Sequence, residues 1–160
     1  MHQRLTTSRL LVPLIAGLGA MLCITALSSL GGDDNSTLWL MAPFGATMVI
    51  LFGLPESPLA QPRNIIVGHL LTTAIGLSVA ALAGVSPWSM GLAVGLAVGL
   101  MLATNNTHPP AGANPLVVML AGEQWDFLVM PVAAGAFLIV AFGVLYHRLI
   151  SGQRYPNRWL

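Results

Sequence analysis

The sequence has 160 residues, of which only 7% are charged and 56% are hydrophobic, and its mean hydropathy is +0.80. A soluble domain carries roughly a quarter charged residues, so this chain lacks the polar side chains that would cover a water-exposed globule. The formal net charge of +1 favours neither nucleic acid nor an acidic partner. With Cys23 as the single cysteine, an intrachain disulfide is excluded, and no Cys/His spacing is typical of a metal site. The composition predicts a protein of the lipid bilayer that needs no cofactor.

Six apolar runs follow one another along the chain, separated by Gly, Pro, Asp, Asn and Ser. They cover residues 10–30, 38–54, 65–85, 88–103, 110–121 and 127–146. A helix needs roughly 17–25 apolar residues to cross a bilayer. The first, third and sixth runs are long enough, the fourth is close to the limit, and the second and fifth are interrupted by proline near their starts. The predicted fold class is therefore all-α: a polytopic membrane protein with four full spans plus two short or re-entrant helices, up to six crossings in all.

The first run follows Arg4 and Arg9, as the apolar region of a secretory signal would. It is too long for that region, and no clear cleavage pattern follows it. We predict a retained first span within a single transmembrane domain, 1–160, whose last residues, 147–160, form a cytoplasmic tail.

The charges predict how the chain is oriented. With six crossings and a cytoplasmic N-terminus, all six arginines fall inside: Arg4, Arg9, Arg63, Arg148, Arg154 and Arg158. Four of the five acidic residues fall outside, namely Asp33, Asp34, Glu123 and Asp126, which leaves Glu56 inside. This agrees with the positive-inside rule and predicts an integral protein of the bacterial inner membrane with both termini in the cytoplasm. If the second and fifth runs were re-entrant, Arg63 would lie outside. The tryptophans at run edges, Trp39, Trp88 and Trp125, are expected at the membrane interface.

The two interrupted runs resemble each other. The segment from Pro43 to Thr47 opens one, the segment from Pro110 to Asn114 opens the other, and Gly68 aligns with Gly135 at the same offset. The chain therefore divides into two pseudo-repeated halves, 10–85 and 88–146. Three crossings per half would give the halves opposite orientations, an arrangement in which transporters hold substrate at short or interrupted helices.

A proline fits the first turn of a helix because its missing N–H group would be unpaired there. Pro43 and Pro110 are thus predicted starts of two short helices, and the residues before Pro110 are predicted to be extended. Helix starts expose N–H groups and carry a partial positive charge. Two starts that face each other would bind a small anion without a buried cation. The alternative is a pair of proline-kinked helices whose freed backbone groups are satisfied by Ser, Thr or water. The residues predicted to bind substrate are Pro43, Phe44, Gly45, Ala46, Thr47, Thr107, His108, Pro110, Gly112, Ala113 and Asn114.

Polar residues within apolar runs usually face the protein interior or a water path. His69 is predicted either to relay a proton or contact an anion, or to hydrogen bond a neighbouring helix. His108, directly before two prolines, is the stronger functional candidate, whereas His2 and His147 are assigned no role. Arg63 either marks the cytoplasmic boundary or attracts anions, and Asn64 is grouped with it. Three glycines spaced by four residues, Gly91, Gly95 and Gly99, predict a close helix contact, either internal or in a homo-oligomer.

Several of these motifs together resemble the HPP family of membrane proteins. They are residues 42–46, residues 55–64, the pair Gly68 and His69, and residues 108–113, which contain the His-Pro-Pro element. The resemblance implies an integral membrane protein with four spans, and some plastid and cyanobacterial-type members are associated with nitrite transport. We therefore predict a transporter of a small inorganic anion, nitrite being the best single candidate. The alternatives are a passive anion channel and a membrane scaffold. An enzyme is not expected, because the sequence offers no nucleophile–base pair or metal cluster.

Overall fold

The computed structural model describes residues 2–30 and 40–158, with side chains from residue 11 onward. Within these residues the chain forms helices and connecting turns, with no strand, which confirms the all-α fold. The helices are α1 (His2–Ser29), α2 (Ala42–Gly53), α3 (Pro62–Ala83), α4 (Pro87–Ala103), α5 (Asn114–Ala121) and α6 (Ala134–Tyr146). Short 3-10 turns form at Pro58–Ala60 and Pro109–Ala113, and wider turns, Leu128–Ala133 and His147–Ser151, flank α6. The first of these wider turns is kinked at Met130, whose φ of −136° and ψ of 118° are not helical. Trp39, Asp33 and Asp34, and the side chains of Arg4 and Arg9, lie outside the described residues.

Proline and glycine set the helix boundaries. Four helices have proline in their first two positions: Pro43, Pro62, Pro87 and Pro115. Gly84 and Gly122 follow α3 and α5 with φ of 65° and 71°, a left-handed conformation that glycine adopts without steric cost. His108 is extended, with φ −134° and ψ 97°, as predicted for a residue before proline. The regular helix predicted from Pro110 begins later, at Asn114, because residues 109–113 form the tighter 3-10 turn.

Three apolar helical segments are long enough to span a membrane: Leu11–Ser29, Pro62–Ala83 and Leu128–Ser151. Helix α4, the predicted fourth span, has 17 residues, or about 26 Å at 1.5 Å per residue, slightly less than a typical hydrocarbon core. Helices α2 and α5 have 12 and 8 residues and cover only part of that thickness. The structure therefore combines long spans with two half-length helices.

The six segments alternate in direction. Arg63, at the start of α3, lines one cleft with Arg158 and one groove with Arg148, so these three residues share one end of the bundle, which we call the arginine end. Helix α4 returns to this end, where the Thr104 carbonyl accepts a hydrogen bond from Arg63 at 3.3 Å. Glu123 lies beside Val85 at the opposite end. Arg63 therefore lies at the same end of the bundle as the C-terminal arginines, which the six-crossing prediction requires and the re-entrant alternative does not.

The predicted repeat is present as matching contacts between the two halves. Phe44 in α2 packs against Gly135, and Ala111, 67 positions after Phe44, packs against Gly68. Leu51 likewise packs against Gly143, and Val118, again 67 positions later, packs against Gly76. In all four contacts a glycine in α3 or α6 receives a side chain from the half-length segment of the other half. The halves are therefore intertwined and related by an inverted pseudo-twofold symmetry.

The apolar cores follow the same symmetry. One core is built mainly from α1, α2 and the α6 segment, including Cys23, Met48 and Ile139. The other is built from α3, α4 and α5, including Leu77 and Val118. Each core thus combines the first two segments of one half with the third segment of the other half. Neither half buries its apolar surface alone, which supports one folding unit.

The glycine face of α4 is not an internal contact. A Cβ atom built on Gly91, Gly95 or Gly99 meets no atom within 4 Å. Of the two predicted roles, close packing inside the molecule does not occur among the described residues. Its use in a homo-oligomer stays a prediction.

Six alternating segments place residues 56 and 126 on opposite sides of the membrane. We expect Glu56→Cys and Asp126→Cys, each made in a Cys23→Ala background, to react with a membrane-impermeant maleimide from different sides. Three segments separate these positions, so labelling of both from the same side would contradict the arrangement.

The glycine contacts predict a position-dependent loss of stability. A methyl group at Gly76 would lie 2.6 Å from the Cα atom of Pro115, and neither helix backbone can yield cheaply. We expect Gly76→Ala to lower the free energy of unfolding by about 1–3 kcal/mol, measured by denaturation of the purified protein in detergent. Gly95→Ala is the matched control, since its methyl group meets open space. Equal stability of the two variants would disprove the packing role of Gly76.

Candidate functional site

A chain of buried polar side chains crosses the interface between the two halves. The Thr47 hydroxyl oxygen lies 3.0 Å from His69 Nε2 and 2.9 Å from His108 Nε2. On the far side of His69, Asn114 Nδ2 lies 3.0 Å from Nδ1, and on the far side of His108, Nδ1 lies 2.8 Å from the Leu59 carbonyl oxygen. Thr47, His69, His108 and Asn114 all have 0% exposure. We call these four residues the histidine chain.

Four different elements supply the histidine chain. Thr47 lies one turn into α2, His69 lies in α3, His108 precedes the 3-10 turn, and Asn114 is the first residue of α5. Phe44, one turn before Thr47, sets its ring edge-on to His69 with 5.1 Å between the ring centroids. The two imidazoles are themselves 5.0 Å apart. The predicted convergence of the two interrupted segments is therefore present.

Asn114 fixes the position of His69 relative to α5. Its Nδ2 atom is placed to donate to the backbone carbonyl of His69 at 3.0 Å and to the Thr73 hydroxyl at 2.9 Å. Close approach here depends on Gly68, where a Cβ atom would lie 2.8 Å from the His108 Cβ atom. The predicted glycine at residue 68 therefore has a definite steric role.

Thr47 and Asn114 lie 67 positions apart and so occupy equivalent places in the two halves, whereas the two histidines have no polar counterpart. Positions 67 residues away from His69, His108 and Thr73 hold Ala136, Met41 and Val140, which are also buried. The fold therefore accommodates apolar residues at the equivalent positions, and polar residues are not required there for packing. Buried polar groups inside a membrane are costly and usually functional. This comparison within one molecule favours a functional role for the histidine chain.

A polar cleft of about 350 Å³ opens at the arginine end, next to the histidine chain. It is lined by Pro58, Leu59, Gln61, Arg63, Asn64, Asn105, Thr107 and Arg158. The lining includes two guanidinium groups and two asparagine amides, and among the described residues no carboxylate lines it. The Leu59 carbonyl that bonds His108 belongs to the cleft wall. The cleft is therefore suited to a small anion and lies one residue from the histidine chain.

Hydrogen bonds from α3 hold the wall of the cleft. The Asn64 side chain donates to the Thr107 carbonyl at 2.9 Å, one residue before His108. Asn105, with φ of 56°, occupies the left-handed conformation that asparagine tolerates. This tight turn carries the chain from α4 to the extended residues before Pro109. The predicted pair Arg63 and Asn64 therefore lies at the cleft and beside the histidine chain.

The C-terminal segment completes the cleft and was not predicted as part of the site. The backbone N–H groups of Asn157 and Arg158 donate to Gln61 Oε1 at 2.9 and 3.2 Å. The Tyr155 hydroxyl donates to the Ala60 carbonyl at 2.9 Å, and burial raises the pKa of Tyr155, so this donor stays protonated. A hydropathy pattern carries no signal for these contacts, because they join the segment to a loop nearly 100 residues earlier.

His147 is a second residue that the sequence did not assign. It is 1% exposed, and its Nε2 atom lies 2.9 Å from the Leu51 carbonyl. Its Nδ1 atom lies 2.7 Å from the Ser151 hydroxyl. These bonds join the end of α2 to the end of the α6 segment, which gives His147 a structural role.

Some predicted substrate-binding residues lie away from the histidine chain. Gly45, Ala46 and Ala113 are exposed and Gly112 is half-buried, and a Cβ atom on Gly45 or Gly112 meets no atom within 4 Å. Pro43 and Pro110 are buried, and the Pro43 carbonyl lies 3.1 Å from the Thr47 hydroxyl. The structure therefore brings together side chains of the two motifs and directs the small residues outward. Among the described residues, no group of three His, Cys, Asp or Glu side chains is placed to hold a metal ion.

Known proteins resemble this chain over most of its length. Two transmembrane proteins of Dictyostelium discoideum are 33% and 37% identical to it over 135 and 128 residues. These matches cover 79% and 75% of this chain but 43% and 45% of the relatives, so the chain spans a little under half of their length. No solved structure matches it. A family model described as the HPP transmembrane region matches residues 2–156, and the chain therefore belongs to the HPP family of transmembrane proteins.

Proposed function

We propose that this protein carries a small inorganic anion across a membrane, with nitrite as the best candidate. The observation that carries the proposal is the cleft in which Arg63 and Arg158 meet without a carboxylate among its described lining residues. Guanidinium groups attract anions, and asparagine amides donate hydrogen bonds to them. The cleft adjoins a buried polar chain that leads toward the centre of the molecule.

The architecture supports transport over a scaffold function. Inverted repeats with interrupted helices are typical of secondary transporters, whose substrate sites lie at the interface between the repeats. Here the half-length helices α2 and α5 meet at that interface through Thr47, His69 and Asn114. Polar residues buried within a membrane protein often mark a path for ions or substrate, and four such side chains are fully buried here.

The burial of the histidine chain supports a carrier over a passive channel. An open pore exposes its polar lining to water, whereas these four side chains have 0% exposure. The cleft therefore ends at a closed polar barrier, and passage requires a rearrangement of the two halves. Such alternation makes uptake saturable, which is the property that separates a carrier from a pore.

The charges of the site favour a monovalent, weakly hydrated anion. Two exposed arginines attract the ion to the cleft, and deeper in the molecule only neutral donors and imidazoles contact its path. A site of partial charges binds such an ion without holding it too firmly to release it. Nitrite and nitrate meet this requirement. In the cell we place the arginine end in the cytoplasm of a bacterium, following the positive-inside rule.

Uptake by purified protein in proteoliposomes tests the proposal. We expect nitrite uptake that saturates and is reduced by competing nitrate or formate more strongly than by chloride. Uptake that rises linearly with concentration would indicate a channel, and uptake no greater than in protein-free vesicles would reject anion transport.

The cleft arginines predict a loss of apparent affinity. We expect Arg63→Gln combined with Arg158→Gln to raise the KM for nitrite about tenfold, since each exposed charge contributes up to about 1 kcal/mol and 1.4 kcal/mol is a factor of ten. The side chain of Arg158 is changed while its backbone N–H bond to Gln61 is kept. Arg154→Gln is the matched control, because Arg154 is an exposed arginine of the same segment outside the cleft lining. A similar KM in both proteins would exclude the cleft as the entry site.

A further inference from the structure

We propose that the histidine chain holds one transported proton, so that each anion crosses together with one H⁺. The inference rests on the proposed anion transport and adds a second substrate to the same site. The observation behind it is the series of hydrogen bonds that runs from Asn114 through His69, Thr47 and His108 to the Leu59 carbonyl.

In the neutral state of the histidine chain, only one placement of the protons gives a hydrogen-bond partner to both imidazole nitrogens that face Thr47. The Leu59 carbonyl can only accept, so His108 carries its proton on Nδ1 and presents a lone pair at Nε2. The single hydroxyl proton of Thr47 has two acceptors within reach, that lone pair and the Pro43 carbonyl at 3.1 Å, and the ring nitrogen is paired only when the proton faces His108. The hydroxyl oxygen then accepts from His69, which must carry its proton on Nε2. The two neutral histidines are therefore opposite tautomers, and all bonds from His69 to Leu59 point the same way.

The neutral state leaves one acceptor without a proton. With its proton on Nε2, His69 presents a lone pair at Nδ1, and the amide of Asn114 places both Nδ2 and Oδ1 near it, at 3.0 and 3.3 Å. Two other acceptors, the His69 carbonyl and the Thr73 hydroxyl, already face the two hydrogens of Nδ2. A proton added at Nδ1 donates to Oδ1 and releases Nδ2 for those acceptors. Protonation of His69 therefore completes the hydrogen bonding of Asn114.

The added charge can move from His69 to His108 without rotation of either ring. The proton on His69 Nε2 passes to the Thr47 oxygen while the hydroxyl proton of Thr47 passes to His108 Nε2. His69 is then neutral with its proton on Nδ1, His108 is an imidazolium, and Thr47 again carries one proton. The distances of 3.0 and 2.9 Å are those of direct hydrogen bonds.

The site holds one proton and not two. The imidazole centroids are 5.0 Å apart, and two cations at that separation repel each other strongly in a region that excludes water. The other elements packed here present Phe44 from α2, Gly68 from α3 and Ala111 from the turn before α5. Among the described residues, the arginines of the cleft lie beyond Leu59, and the Tyr155 hydroxyl bonds the Ala60 carbonyl. No described carboxylate contacts either ring, so the counterion of the proton is the transported anion.

The position of His108 couples the two ions. Of the four residues of the histidine chain, His108 lies next to the cleft. Its Nδ1 atom bonds the carbonyl of Leu59, and both Leu59 and Thr107 line the cleft. An anion at that wall stabilises the His108 cation, and the cation stabilises the anion. The pair is neutral overall, which lowers the cost of moving it through a low-dielectric interior.

The tautomers give a test that is independent of transport. We expect ¹⁵N NMR of histidine-labelled protein in nanodiscs to show His69 protonated at Nε2 and His108 at Nδ1 in the neutral state, with assignments from His69→Gln and His108→Gln. As the pH falls, the two rings should take up one proton between them. Identical tautomers, or two protons bound in one step, would overturn the proposed chain.

Proton movement during nitrite uptake tests the coupling. In proteoliposomes with an internal pH dye and a membrane potential clamped by potassium and valinomycin, we expect one proton per nitrite and no dependence on the potential. The leak of nitrous acid is measured in protein-free vesicles and subtracted. Thr47→Val should reduce proton movement to the protein-free level, and Thr47→Ser, which keeps the hydroxyl, should restore it.

The outcomes separate this inference from the proposed function. If wild-type vesicles take up no nitrite above the protein-free level, anion transport itself is rejected. If they take up nitrite without protons, or Thr47→Val moves protons as the wild type does, anion transport stands and the proton site is rejected. Ser78→Ala is the matched control, since that hydroxyl bonds only the Ala74 carbonyl of its own helix and its loss should leave both fluxes unchanged.

Discussion

The hydroxyl of Thr47 lies between two buried imidazoles, and this one contact joins the two halves of the molecule at their centre. Within a bilayer no water satisfies an unpaired polar group, so every donor and acceptor needs a partner from the protein. Thr47 meets that requirement for His69 and His108 together. The positions of α2, α3 and the turn before α5 are therefore fixed to each other by hydrogen bonds as well as by packing.

The scaffold that holds this contact is symmetric, while its chemistry is not. Four glycines on α3 and α6 receive side chains from the opposite half in equivalent ways. At the level of His69 and His108, however, the other half has Ala136 and Met41. Thr47 and Asn114 are equivalent polar residues of the two halves, so the asymmetry lies in the two histidines. The asymmetry thus separates what the fold needs from what the function needs.

The cleft at the arginine end extends the site toward the surface. Its wall includes the loop around Leu59 and the segment around Arg158, which the side chain of Gln61 holds through two backbone N–H groups. Two guanidinium groups lie at the mouth, and the side chains further in are an amide, a hydroxyl and two imidazoles. The C-terminal segment is therefore a part of the site and more than a tail.

The residue pattern predicts the environment of the chain and the type of its elements. Apolar runs long enough to span a bilayer predict membrane helices. In lipid every backbone N–H and C=O group needs a partner from the protein, and a helix provides these partners within one segment. The prolines that interrupt two runs predict half-length helices because proline cannot continue a hydrogen-bonded helix. The aligned motifs around Pro43 and Pro110 likewise indicated the repeat and the meeting of Thr47, His108 and Asn114, since equivalent segments of an inverted repeat approach each other at its centre.

Which atoms of those motifs face each other depends on how the helices pack. A backbone pattern does not fix the rotation of a helix about its axis, so the sequence placed Gly45 and Gly112 in the site, whereas they face outward. Contacts between residues far apart in the chain, such as Arg158 in the cleft and His147 on the Leu51 carbonyl, leave no local signal. The histidine chain itself is supplied by four different elements, and its hydrogen bonds depend on distances of a few tenths of an ångström that only the packed molecule specifies.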